Sequence, residues 1–274
     1  MAPVFAEYRD VSMGEPLRQG DVIECVEEAT KWTRLLLVIT ADCDFAFGKH
    51  QGRVTCIPLL EANDYLVEFH FPRLRDRFAR KPLAELQALL RRAGGPAIRD
   101  ARLREWATET PLAEIAAELE LDAPDAEVAT KLLRSLSLLD PHSDRVEDCI
   151  EALVASQLAT PQPVTEARAR EAVSSAVRDV YRQPPGDAMF LSTVGRSYES
   201  GYFAYLRHLE QIWEPDIARG PARRDHSHRR VGRLEDRYLM ALVQRFAMVF
   251  MSIGLPNEYE ETRDLYAEMM GGVR

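Results

Sequence analysis

The densest chemistry in the sequence follows an apolar run. Thr40, Asp42, Cys43 and Asp44 stand together, and His50 comes seven residues after the cysteine. A thiol becomes a nucleophile when a nearby imidazole, cation or helix N-terminus lowers its pKa, and this spacing lets Cys43 and His50 meet across a hairpin loop. Asp42 and Asp44 oppose that, because negative charge beside the sulfur disfavours a thiolate. The competing expectation is a small half-buried cysteine at a strand end, with the aspartates bonding the turn. In an extended segment Asp42 and Asp44 face the same side and could hold Mg²⁺ or Ca²⁺ with His50 or Glu61. Two acids in a turn are common without any ion, so no metal and no cofactor is expected.

A second cluster is basic. Between residues 219 and 233 there are six arginines and one aspartate. Arg223, Arg224, Arg229 and Arg230 are the candidate contacts to phosphate or RNA, set against the alternative of a solvated charged loop. His226 and His228, with Asp225, have the H-x-H form of a metal site, but the surrounding arginines oppose a cation. Residues 73–104 carry ten Lys or Arg and three acids, whereas 105–153 carry thirteen acids and three bases. Such blocks either face one another or present two charged faces to partners. Gly-rich phosphate loops, G-x-S-x-G and H-E-x-x-H are absent from the sequence, which removes the commoner nucleotide-binding, hydrolase and zinc-protease readings.

These residues must be positioned by a chain of 274 residues with formal net charge -9. That length buries a real core, and the acidic balance argues against a surface given wholly to nucleic acid. The four cysteines, Cys25, Cys43, Cys56 and Cys149, show no C-x-x-C spacing, so reduced thiols are expected. The N-terminus has no basic start with an apolar core, and no apolar run approaches the ~20 residues needed to span a bilayer. A cytoplasmic protein without a membrane partner is expected.

Short apolar or alternating runs at 21–28, 34–42, 53–61 and 65–71 read as strands. From residue 73 the texture turns helical. Helices are expected from Pro82 to Gly94, over 110–121 behind Thr110 and Pro111, and in three further segments ending before Pro141, Pro161 and Pro184. Strand character returns at 187–195 and 200–212, and a charged loop follows at 218–232. Leu234, Tyr238, Leu242, Phe246, Val249 and Ile253 then mark an amphipathic helix that ends at Gly254. The fold class expected is α+β: a small antiparallel β-barrel interrupted by an α-helical insertion, with a C-terminal amphipathic helix. The domains are residues 1–72 plus 185–274 for the barrel and 73–184 for the insertion. Late strands would return to the first sheet and partner its edge.

The stretches "QGDVIE", "RLLLVIT" and "GRVTCIPLL" resemble the start of the MazF/PemK family of ribonuclease toxins, over roughly residues 18–62. Gly20, Asp21 and Val22 match its first strand, and Arg34 and Thr40 bracket the second as the family's Arg and Ser/Thr do. The resemblance implies an SH3-like barrel. It also implies that Arg34 stabilises charge on a scissile phosphate while a threonine positions the attack. Leu59 or Leu60 stands where the third-strand threonine is expected. The "GD…TxxCD" start also resembles uncharacterised bacterial proteins, some of them in defence-type operons. The expectation is therefore a non-catalytic protein-interaction component of a bacterial defence or toxin–antitoxin-like system, with a protein partner. The alternatives are a metal-independent MazF-like endoribonuclease using Arg34, with Thr40, Asp42 or His50 and RNA as substrate, and a cysteine-dependent enzyme using Cys43.

Overall fold

The protein is described here from a computed structural model covering residues 7–95, 97–111, 114–115, 118–119, 121–140, 143–192, 194, 201–219, 226–251 and 257–271. Its strands are β1 (Tyr8–Arg9), β2 (Asp21–Cys25), β3 (Leu35–Val38), β4 (Arg53–Glu61), β5 (Ala188–Leu191), β6 (Tyr202–Tyr205), β7 (Glu210–Trp213), β8 (Ile217–Ala218) and β9 (His228–Leu234). They form one sheet in the order β1-β9-β2-β3-β4-β6-β5, with β7 added to β4 and β8 to β9. All pairings are antiparallel except β8 with β9. The sheet curls into a half-barrel, and with the helices the chain is α+β.

The pattern of β3 explains why it lies near the centre of the sheet. Its four residues, LLLV, are all buried. Successive side chains on a strand point to opposite faces, so both faces of the sheet are covered here. Leu35 and Leu37 join Ile57 and Leu59 in a core closed by a C-terminal helix, α8 (Asp236–Met251), through Leu239, Leu242 and Val249. Leu36 and Val38 join Ile23, Val54 and Cys56 in a smaller core capped by Leu17 and Ile217. β4 pairs with β7 through Arg53–Cys56 and with β6 through Leu59–Glu61. Pro58 falls in the changeover between them, where that edge has no pairing for a missing N–H to break.

The Gly20–Asp21 pair has a structural role. Gly20 has φ +90°, a conformation strained for any residue with a Cβ, and a Cβ there would lie 2.9 Å from a Leu239 methyl of α8. Asp21 is fully buried and is the countercharge for two arginines of β9.

Between β4 and β5 the chain is helical. After the five-residue helix α1 (Asp42–Ala46), which joins β3 to β4, come α2 (Ala62–Tyr65), a π-helical turn at Leu66–His70, and α3 (Phe71–Arg92). They are followed by α4 (Asp100–Glu109), α5 (Ala123–Ser137), α6 (Val146–Leu158) and α7 (Glu166–Arg182). Asp122 and Thr165 cap α5 and α7, their side chains accepting from Asp125 N–H and Arg168 N–H. A last helix, α9 (Asn257–Gly271), ends the described chain. The helices pack around leucines such as Leu86, Leu89, Leu133 and Leu153, and this core continues into the sheet at Leu60, Ala188 and Phe203.

Three expectations are corrected. The run at 65–71 is helical, because Ala62, Tyr65, Leu66 and Phe71 are buried at helical rather than alternating spacing. The following helix starts at Phe71, with Pro72 in its first turn, and passes through Pro82. It ends as expected, with Gly95 N–H donating to Leu90 O beside Gly94 at φ +74°. The arginine-rich segment is no loop from residue 228 onward; it is β9. The returning strands expected at 187–195 and 200–212 are observed as β5, β6 and β7: β6 and β7 pair with β4, and β5 pairs with β6. Of the helix expected over 110–121, residues 112–113, 116–117 and 120 lie outside the described residues, and 114, 115 and 118 are helical.

Candidate functional site

Helix α1 takes the polar run out of β3, and each member has a partner. Thr40 Oγ1 accepts from Thr55 N–H at 2.7 Å and so ties the end of β3 to β4. Asp42 Oδ2 accepts from Arg18 Nη2 at 2.7 Å, and its Oδ1 accepts from Gln19 N–H at 2.8 Å. Burial pushes the Asp42 carboxyl up, but the bonds from Arg18 and Gln19 and the Arg18 charge outweigh it and hold the carboxyl below its ordinary value. Phe45 packs onto the smaller core. Because the segment is helical, Asp42 and Asp44 stand about 200° apart around it and do not converge as an extended run would. Among the described residues no group of three or more His, Cys, Asp or Glu could hold a metal ion.

His50 is the best-held side chain of the group. Its ring lies 4.9 Å from that of Phe45. Nδ1 is 3.0 Å from the Asp44 carbonyl oxygen, and Nε2 is 2.8 Å from Glu214 Oε2. Both partners are acceptors, so only the doubly protonated ring makes both bonds. The Glu214 bond first, and then the bond to Asp44 O, raise the His50 pKa above its ordinary value. His50 is therefore a cationic clamp between the α1 turn and Glu214, whose own N–H donates to Gly52 O at 2.8 Å. The exposed Cys43 thiol turns to Asp44 Oδ1 at 3.7 Å, and no Cys43–His50 pair forms.

Beyond Glu214 opens a cavity of about 360 Å³, lined by Leu17, Glu214, Pro215, Ile217, Arg219 and His226. Its walls are fixed from below by β9. Arg230 donates to the carbonyls of Ser12, Glu15, Pro16 and Arg219, at 2.7–3.3 Å. Arg233 donates to Asp21 Oδ1 at 2.6 Å, Asp21 Oδ2 at 3.1 Å and Pro16 O at 3.0 Å. Burial lowers the Arg230 pKa and the Asp21 charge opposes that. Burying two guanidiniums is costly unless both are paired and hydrogen-bonded, and here they are. Their bonds fix the 12–16 backbone just before Leu17 and the Arg219 carbonyl, on two sides of the cavity.

The remaining expected site residues lie apart. Arg34 is half-exposed and pairs with Glu61 at 3.1 Å. It precedes β3 while Thr40 follows it, so the two are separated by roughly 20 Å of extended chain. Arg229 pairs with Glu24 at 2.6 Å on the surface. Arg230 is buried, with 7 % of its surface exposed. Arg223 and Arg224 lie outside the described residues. Glu214 carried no motif in the sequence, its only signal being a polar Glu-Pro-Asp step after a strand, and Arg219 was legible only as the first arginine of the basic cluster. Among the described residues, no helix is long and apolar enough to cross a membrane.

Comparison of the chain with protein-family models, with curated proteins and with solved structures gives no match.

Proposed function

We propose that the chain is a non-catalytic protein-interaction component that engages a basic protein surface through its acidic C-terminal helix α9. One observation carries this reading. Every described α9 side chain is exposed, including Tyr259 (55 %), Leu265 (58 %) and Tyr266 (63 %). A helix of this length is marginal in water unless an apolar face is packed, so α9 calls for a partner to complete it. Its sequence, NEYEETRDLYAEMMG, holds five acids and one arginine. Tyr259 and Tyr266 are seven residues apart, the spacing by which helices anchor in apolar grooves. An apolar groove rimmed by Lys and Arg is the complement. Met240 and Met251 on α8, 64 % and 79 % exposed, add the adaptable surface that methionine gives to docking faces.

The half-barrel is proposed to be SH3-like, on the strength of the three strand motifs, and the setting to be a toxin–antitoxin-like or defence system. Four free cysteines fit a reducing compartment, and a cytoplasmic location is proposed.

The test is photo-crosslinking from position 259 or 266 in cells, followed by binding of the purified, captured partner. Tyr259→Ser with Tyr266→Ser should abolish that binding, whereas Arg34→Ala and Cys43→Ser should leave it intact. Equal binding by the double variant would overturn the reading. RNA cleavage in EDTA by the wild type and not by Arg34→Ala would replace it with the endoribonuclease reading.

A further inference from the structure

Helix α8 carries a second apolar face. From Tyr238 to Met251 its only charged side chain is Arg245, whose Nη1 donates to Ala188 O at 3.1 Å and so reaches back to the sheet. Leu239, Leu242 and Val249 are buried against that sheet. At about 100° per residue, Met240, Gln244, Ala247 and Met251 fall within about 60° of one another, opposite Leu242 and Val249. All four are exposed, Met240 by 64 % and Met251 by 79 %. Phe250, 48 % exposed, flanks them, its ring 5.0 Å from that of Phe246. A helix apolar nearly all round is ordinarily a buried one, and contiguous exposed apolar surface marks an interaction site. Every described α9 side chain is itself exposed, so α9 of the same chain leaves this stripe uncovered.

We propose that this stripe is the two-fold contact of a homodimer, packed antiparallel on the same stripe of a second copy. The stripe complements itself, as a two-fold contact requires. In an antiparallel pair that overlaps its full length, Met240 lies opposite Met251 of the second copy. Gln244 then lies opposite Ala247, a long side chain against a short one. The two Gln244 residues stand about 5 Å apart along the helix axis, near the two-fold. An amide is both donor and acceptor, so an identical amide satisfies it, and one polar residue in an apolar seam fixes register. Between Met240 and Met251 α8 places no cation on this side, so the helix offers an acidic segment such as α9 no countercharge there. The contact does not rest on the reading of α9. A single helix pair is small among protein interfaces, so the dimer forms and dissociates over micromolar concentrations.

The experiment is sedimentation equilibrium of the full chain and three double variants, from about 1 to about 200 µM. A reductant is present, so that the exposed Cys43 forms no disulfide between copies. The wild type should pass from monomer to dimer. Met240→Lys with Met251→Lys sets like charges opposite one another and should weaken the dimer by about tenfold or more. Its unfolding midpoint should not move, because both side chains are exposed. Met240→Glu with Met251→Lys sets opposite charges against one another and should keep the dimer. Tyr259→Ser with Tyr266→Ser should also keep it, which separates this contact from the one proposed for α9. A wild type that stays monomeric would overturn the proposal. So would a dimer that survives the two lysines, or one that both charged variants lose equally. Loss of the dimer in the tyrosine variant would assign it to α9 and overturn the role of the stripe.

Discussion

Strand β9 and helix α9 are both rich in charged residues, and the molecule uses them in opposite ways. In β9, HRRVGRL, Arg230 and Arg233 are 7 % and 2 % exposed. In α9 every described side chain is exposed. What separates them is the countercharge. The β9 arginines meet Asp21, which is itself fully buried, and the backbone carbonyls of Ser12, Glu15 and Pro16. α9 has no buried side chain among those described and carries Glu258, Glu260 and Glu261 into solvent. Charge density in a sequence thus says little about exposure until the partner is located. For β9 that partner is inside the chain; for α9 we place it in another protein.

The largest effect that would sharpen this contrast is at Asp21. Asp21→Ala leaves two buried guanidiniums short of their countercharge, and breaking a buried pair this way costs about 3–5 kcal/mol. The urea midpoint should fall accordingly. Glu258→Gln on α9 should stay within about 0.5 kcal/mol, as exposed substitutions do. Equal small effects at both positions would remove the distinction between the two elements.

A smaller effect is expected from the His50 clamp, through pH. Its folded pKa is raised above the unfolded value of about 6.5, by Glu214 first and Asp44 O second. A raised value means that the clamp contributes fully below about pH 6.5, and that the contribution is lost as pH climbs through the folded value. Denaturation midpoints of the wild type should therefore decline across that window more than those of His50→Gln. Parallel profiles would show that the ring carries no extra proton in the folded chain.

The smallest effect is at Arg34. The side chains of its pair with Glu61 are 51 % and 45 % exposed, and such pairs contribute about 0–1 kcal/mol. Arg34→Ala should be nearly silent in thermal unfolding.

The sequence made the first sheet legible because its strands are short apolar runs bounded by polar turns: β2, β3 and β4 lie within the expected segments. The amphipathic stripe likewise located α8. β9 was not legible as a strand. Its inward arginines break the apolar pattern, and the residue that makes them tolerable lies 209 and 212 positions away. The helical turn at 65–71 was hidden because a short aromatic run fits either period. In the candidate site, the chemistry-rich residues at 40–50 were legible as residue types but their roles were not. Asp42 is explained by Arg18, 24 residues away, and His50 by Glu214, 164 residues away. A linear pattern contains neither partner.

The central claim is that α9 is completed by a partner while β9 is completed from within. Backbone hydrogen exchange of the full chain tests it most directly, because protection reports local opening free energy. The account predicts that the amides of α9 exchange nearly as fast as an unprotected peptide, while those of Arg229–Leu234 exchange only through global unfolding. Adding the captured partner should slow exchange in α9. Protection of α9 comparable to β9 in the unpartnered chain would contradict the account.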